Sequence, residues 1–354
     1  MKNLLSLIIT LILIVIIDMF IASPIHLSLS CFMPDKQLGW APKQDFEKKF
    51  TEKDGAGNSY KVHYSLDHNG FREYGDPAAK RLKILFLGDS YTGDPKAGNE
   101  QMYFSVVQST LKEKYNLDVE IFAAGAGGYG TLQEYLFIKK YISIIKPDVF
   151  ILQFTDNDFT NNYWEWEKYR IVRNQKYLRP YYSLESATVC YAGSPLAKAY
   201  RLFYNKSFLF RGVDAVIRRL QYKYYFGKYK THKDQYYDGY SKLTLPETYQ
   251  FLRDSYPVTR ELFLLLKNEF NSKTEFFTFL APVDIDQEFQ EQWLKLSRET
   301  GFAPLFLPIS AHEKAIARGK IILNADGGHY NILGNRIIGE AIAEELYKHL
   351  EKRI

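Results

Sequence analysis

Cysteine is almost missing from this chain: Cys31 and Cys190 are the only two among 354 residues. One internal disulfide at most is possible, which excludes a disulfide scaffold, and no Cys or His spacing matches a zinc site. No Asp-rich loop offers a calcium cage. No repeat period or low-complexity tract is present. The formal charge of +5 is small and scattered, unlike the concentrated basic stripe of a nucleic-acid surface. Neither a metal, a cofactor nor a nucleic-acid partner is expected. What the chain has in plenty is aromatic side chains, 16% of residues, mostly its 28 Tyr and 25 Phe. Tyr joins an apolar face to a polar tip and suits wet clefts and interfaces. With 46% hydrophobic and 25% charged residues the chain is long enough to bury a sizeable core.

Long apolar runs are also scarce after the first. From Leu4 to Ala22 only Ser6, Thr10 and Asp18 are polar, close to the roughly 20 residues that cross a bilayer. The run ends in Ile21-Ala22-Ser23-Pro24, a poor small-x-small cleavage site. Residues 1–23 are therefore expected to be an uncleaved transmembrane signal anchor. Lys2 would lie on the cytoplasmic side and the rest would be extracytoplasmic, periplasmic or at the cell surface. Lipidation of Cys31 is disfavoured, because it lies far beyond the apolar core and Ser28 replaces the usual aliphatic. Residues 24–80 read as a membrane-proximal lead-in, with a strand at Tyr60 to Leu66 and a turn at Asp67-His68-Asn69-Gly70.

The remainder, residues 81–354, alternates strands and helices. Ile84 to Leu87 is apolar on both faces and stops at Gly88, as a buried parallel strand does. Ser90 follows at the strand's C-terminal end, where open α/β sheets bind ligands. Position 92 is Thr, so this is not a Gly-x-Ser-x-Gly elbow. A helix from about Gln101 to Tyr115 and a strand at Val119 to Phe122 lead to the glycine-rich turn Ala123 to Thr131. That turn lacks the ending of a P-loop and the spacing of a dinucleotide site. A strand at Val149 to Phe154 leaves through Thr155-Asp156-Asn157-Asp158. From 161 to 245 the rhythm disappears, and Tyr and basic residues mingle at Tyr222 to Tyr240. That tract suits sugar stacking, contact with anionic lipid, a cap over a site, or simple packing. The rhythm resumes with a helical pattern from Glu247 to Asn271, expected to end or kink at Pro257. A strand at Glu275 to Leu280, a helix at Ile285 to Thr300, a short strand at Ala303 to Leu307 and a helix near Ala311 to Arg318 come next. Asp326-Gly-Gly-His329 precedes the final amphipathic helix, Ile332 to Leu350. Two glycines let Asp326 and His329 meet side by side, and His329 is the one histidine of seven with an acid so placed.

Each of these signals alone reads equally well as a turn. In order, they resemble the four blocks of the SGNH (GDSL-type) hydrolases: Gly88-Asp89-Ser90; Gly125, Gly128 and Thr131; Asn157-Asp158; and Asp326-x-x-His329. Asn69-Gly70-Phe71-Arg72 resembles a forerunner of the first block in membrane-associated members. Two departures stand out, Ala123 in place of the second block's Asn and Thr155 in place of the third block's Gly.

The resemblance implies a three-layer α/β/α, flavodoxin-like fold with a mostly parallel sheet of about five strands, interrupted by a Tyr-rich insertion at about 161–245. It implies a catalytic triad of Ser90, Asp326 and His329, with the Ser90 N–H, the Gly128 N–H and the Asn157 side chain as the oxyanion hole. The implied activity is that of a serine esterase cleaving carboxyl O-acyl esters through an acyl-serine intermediate. O-acetyl groups on envelope or exported polysaccharide are one expected substrate. An O-acyltransferase with a sugar hydroxyl as acceptor and a non-catalytic carbohydrate-binding protein of the same fold are the competing readings.

Overall fold

The computed structural model describes residues 2–25, 30–93, 95–168, 174–229, 245–281 and 287–351. The chain forms two compact units, one made of Met1–Lys43 with Tyr163–Phe251, the other of Gln44–Asn162 with Leu252–Ile354. Residues 44–80 belong to the α/β unit, and residues 163–251 group with the N-terminus.

In the first unit, helix Lys2–Ile17 runs into a π-helical turn, Asp18–Ala22. Two antiparallel hairpins follow, β1 (Phe32–Asp35) with β2 (Gly39–Pro42) and, later in the chain, β9 (Pro180–Ser183) with β10 (Thr188–Tyr191). Helices Pro195–Lys206 and Phe208–Tyr229 complete it. Two buried residues of opposite charge, Arg179 and Glu167, approach to 3.9 Å, and the Arg179 guanidinium sits over the Trp40 ring. Cys31 and Cys190 are both free thiols. Among the described residues no helix is long and apolar enough to cross a membrane. The transmembrane helix expected over residues 1–23 is corrected accordingly. Its α-helical part has 16 residues, about 24 Å at 1.5 Å per residue, and Asp18 is buried within the unit. The side chains of Tyr222 to Tyr229 and residues 230–244, which include most of the Tyr-rich tract, lie outside the described residues.

The second unit opens with an antiparallel hairpin, β3 (Phe46–Lys53) and β4 (Ser59–Leu66). Its main sheet has six strands in the order β12-β11-β8-β6-β7-β5. These are β5 (Glu73–Tyr74), β6 (Leu82–Gly88), β7 (Val119–Gly125), β8 (Val149–Phe154), β11 (Glu275–Leu280) and β12 (Ala303–Pro304). All pairs are parallel except β5 on β7. The sixth strand is the two-residue β5, too short to show a period in sequence. Ile84 and Phe86 face a core completed by helices Tyr103–Tyr115 and Ile332–Leu350, through Phe104, Val107, Ile338 and Leu346. On the opposite face Phe150 and Phe154 pack against Phe263, Phe270, Phe289 and Phe302. Both faces are therefore covered, which is why β6, β7 and β8 are mostly apolar on both sides, with Lys83, Glu120 and Gln153 as the polar interruptions. Helix Leu245–Asn268 continues through Pro257, so of the two outcomes the sequence suggested, an end or a kink, the end does not occur. The flanking Phe251, Leu252, Val258 and Leu262 are all buried, so packing holds the helix across the missing N–H.

Candidate active site

The C-terminal ends of β6 and β7 come unusually close because three glycines leave room. A Cβ on Gly88 would collide with Gln153, one on Gly93 with the backbone of Gly125, and one on Gly125 with the Gly88 carbonyl. Asp89, fully buried, receives a backbone hydrogen bond from Tyr91 (3.1 Å), while its own N–H donates to Gln153 Oε1 (3.0 Å). Burial pushes the Asp89 carboxyl up, against the opposing hydrogen bond from Tyr91 and the charge of His329. Ser90 starts the short helix Ser90–Gly93, its Oγ 3.4 Å from Asp89 Oδ2.

Asp326 and His329 come together as the spacing predicts. A β-bridge between Leu323 and Tyr330 pinches their loop, and Gly327 turns it at φ +73°. Asp326 Oδ1 accepts the N–H groups of Gly328 (2.9 Å) and His329 (3.1 Å), leaving Oδ2 for His329 Nδ1 at 2.9 Å. Burial pushes the Asp326 carboxyl up, but these bonds and the His329 charge outweigh it and hold the group well below the usual carboxylate range. With Nδ1 donating to Asp326, Nε2 is the basic nitrogen. Tyr91, adjacent to Ser90, donates its hydroxyl to the Gly328 carbonyl, and its ring centre lies 5.2 Å from that of His329. Tyr91 thus ties the helix that begins at Ser90 to the His329 loop.

Gly128 sits in the same unit at φ +72°, a left-handed conformation that favours glycine. Asn157 follows β8 on helix Asp156–Asn162, and its side chain opposes the burial that raises the Asp89 carboxyl. Asn161 Nδ2 donates to Asn157 Oδ1 (2.9 Å) and to the Tyr129 carbonyl (3.2 Å), bridging the glycine turn to the Asn157 amide. Asn161 thus braces the turn in which Ala123 stands in place of Asn. Asp158 Oδ2 accepts the Thr155 N–H at 2.8 Å. Burial raises the Asp158 carboxyl well above its ordinary value, and the charges of Glu134 and Asp89 raise it further.

Several members of this site are invisible to motif reading. Lys96 Nζ lies 3.0 Å from Asp326 Oδ2, the oxygen that also faces His329. The Tyr60 hydroxyl on β4 reaches the Lys96 carbonyl (2.8 Å) and the Asn324 side chain. The tip of the β3–β4 hairpin bonds directly to the histidine loop, Gly55 N–H to the Leu323 carbonyl (2.9 Å) and Ala325 N–H to the Lys53 carbonyl (3.0 Å). No local signal could have shown these contacts, since each joins residues far apart in the chain.

No protein-family model matches the chain, and no curated protein matches it in sequence. Solved structures that resemble it include a psychrotrophic esterase, EstA, from Pseudoalteromonas sp., at 10% identity and TM-score 0.40, covering 76% of this chain and 98% of that one. A lipase/acylhydrolase from Enterococcus faecalis follows at 14% identity and TM-score 0.38, covering 76% and 96%. An acetyl xylan esterase, AlAXEase, resembles it at 14% identity and TM-score 0.38, covering 76% and 100%.

Proposed function

We propose that this chain is a serine hydrolase that cleaves carboxyl O-acyl esters through an acyl-serine intermediate. One arrangement carries the reading: a carboxylate-held imidazole, His329 on Asp326, packed against Tyr91, the residue that follows Ser90. In the proposed reaction His329 Nε2 takes the Ser90 proton as Oγ attacks the ester carbonyl carbon. Asp326 stabilises the imidazolium. The Ser90 N–H, the Gly128 N–H and the Asn157 amide receive the oxyanion, with Asn157 oriented by its bond from Asn161. Collapse of the tetrahedral species expels the alcohol, protonated by His329. Water, deprotonated by the same histidine, then attacks the acyl-serine and releases the acid. O-acetyl groups on exported polysaccharide fit this reading as substrate.

The full chain, purified in mild detergent, should hydrolyse a chromogenic acetyl ester and lose the activity in Ser90→Ala, with kcat falling by about six orders of magnitude. A fluorophosphonate should add covalently to Ser90 in the wild type, read by peptide mass. Equal turnover by the two proteins would end the assignment. Offering a polysaccharide acceptor and looking for newly acylated sugar separates transfer to a hydroxyl from transfer to water.

A further inference from the structure

Helix Phe208–Tyr229 carries its polar and apolar residues the wrong way round for water. Its exposed stripe is aliphatic: Leu209, Val213, Val216, Ile217 and Leu220 are 44–61% exposed, at the i, i+4, i+7, i+8, i+11 spacing of one helical face. Its charged Arg211 and Asp214 instead point inward and are 7% and 4% exposed. Arg211 donates to Ser23 Oγ (2.6 Å) and to the Tyr204 carbonyl (2.7 Å), and Arg218 pairs with Asp214 at 2.8 Å. A helix in contact with water shows the opposite pattern.

The N-terminal helix joins the same surface. Ile12, Leu13, Ile14, Val15, Ile16 and Ile17 are six consecutive aliphatics, all 46% exposed or more, so the helix is apolar around its whole circumference there. Asp18, the one charge in the run, does not interrupt this. It is buried, accepting from the Ser207 hydroxyl and from the Leu209 N–H (2.9 Å), and so caps the start of the inverted helix. The two apolar surfaces are therefore fastened together by the groups that would otherwise resist an apolar medium.

We propose that this unit seats on a lipid bilayer with anionic headgroups, the inverted helix and the N-terminal helix lying in the interface without spanning it. Charge complementarity favours lipid over a protein partner. Residues 195–229 contain eight Lys or Arg against a single acid, Asp214, which is already paired. The exposed Lys198, Lys206 and Arg219 are long enough to reach headgroups while the aliphatics lie deeper. The aliphatic stripe carries no aromatic hot spot of the kind that anchors protein interfaces.

The test uses the full chain with Cys31→Ser and Cys190→Ser, labelled with an environment-sensitive fluorophore at Val213→Cys, Val216→Cys or Leu220→Cys in turn. Glu113→Cys, on the exposed face of helix Tyr103–Tyr115, is the control. Each protein is reconstituted with phosphatidylcholine vesicles, with and without phosphatidylglycerol, and circular dichroism checks that the label leaves the fold intact. The expected result is a blue shift, near-complete loss of iodide quenching and strong quenching by a lipid-borne nitroxide at 213, 216 and 220, all enhanced by phosphatidylglycerol, with none of these at 113. Iodide quenching at 216 equal to that at 113 would overturn the proposal. Protection from iodide without nitroxide quenching would also overturn it, assigning the stripe to a second copy or another protein. Indifference to phosphatidylglycerol would remove the anionic headgroup.

Discussion

Lys96 is the residue with the most leverage on the proposed chemistry for its distance from it. Its ammonium and the His329 ring face the same carboxylate oxygen of Asp326, so the two compete for one negative charge, and a standing positive charge opposes protonation of the imidazole. Asp89 and Asp326 are the acidic groups whose charges act on His329 in the opposite sense. Replacing Lys96 by Met removes the opposing charge. The acid limb of the kcat/KM profile for ester hydrolysis should then move up by about half a pH unit or more. An unmoved limb with an unchanged plateau would show that solvent screens the ammonium completely. Asn161 acts similarly at one remove. Asn161→Ala frees the Asn157 amide to rotate, and kcat should fall by about tenfold to a hundredfold, within what one oxyanion donor supplies, while KM stays close to the wild-type value.

Among the secondary-structure elements, the β3–β4 hairpin does more than lead into the domain. Tyr60, Lys53 and Gly55 fasten its outer half to the loop of Asp326 and His329. At its base Arg72 donates to Asn99 and Ala97 and stacks over Tyr64. Tyr60→Phe should lower kcat several-fold, raise amide exchange in residues 323–330 and leave the melting temperature little changed, as measured by hydrogen exchange and calorimetry. Elements were legible in sequence where the pattern is local. Strands β6 and β8 and helix Ile332–Leu350 appear within a few residues of their expected bounds, because apolar periodicity, Gly88 and the N-capping Asn331 are all short-range signals. Asp326 and His329 were legible for the same reason, being three residues apart. Lys96 and Tyr60 were not, since what brings them to the site is the approach of separate segments, while Asn161, one helical turn after Asn157, belongs to no motif. The inverted helix was illegible for a different reason: its pattern is amphipathic either way, and sequence alone does not say which side faces inward.

At the scale of the whole molecule, stability should carry the mark of the buried acids. Asp158 and Asp89 are both raised by burial above the ordinary aspartate value of 3.8. A carboxyl whose folded value is raised stabilises the fold fully below the unfolded value and loses that contribution as pH climbs through the folded one. The melting temperature should therefore decline as pH rises above about 4, and the decline should be shallower in Asp158→Asn, whose amide oxygen can still accept the Thr155 N–H. Asp326 acts in the opposite window. Its lowered value adds stability above 3.8 that is lost on acidification. Calorimetry of both proteins across acid to mildly alkaline buffers checks the slopes, and parallel curves would mean that Asp158 titrates alike in the folded and unfolded chain.

The loop pinched between Leu323 and Tyr330 closes on a hairpin made about 270 residues earlier, with the Ser90 strand lying between them in sequence. On the proposed function, a nascent chain halted before residue 326 would carry Ser90, just past β6, yet lack the residues proposed to deprotonate it. The proposed activity would then switch on only once the Asp326–His329 loop has closed on that hairpin, a delay that keeps the serine silent until the two segments meet.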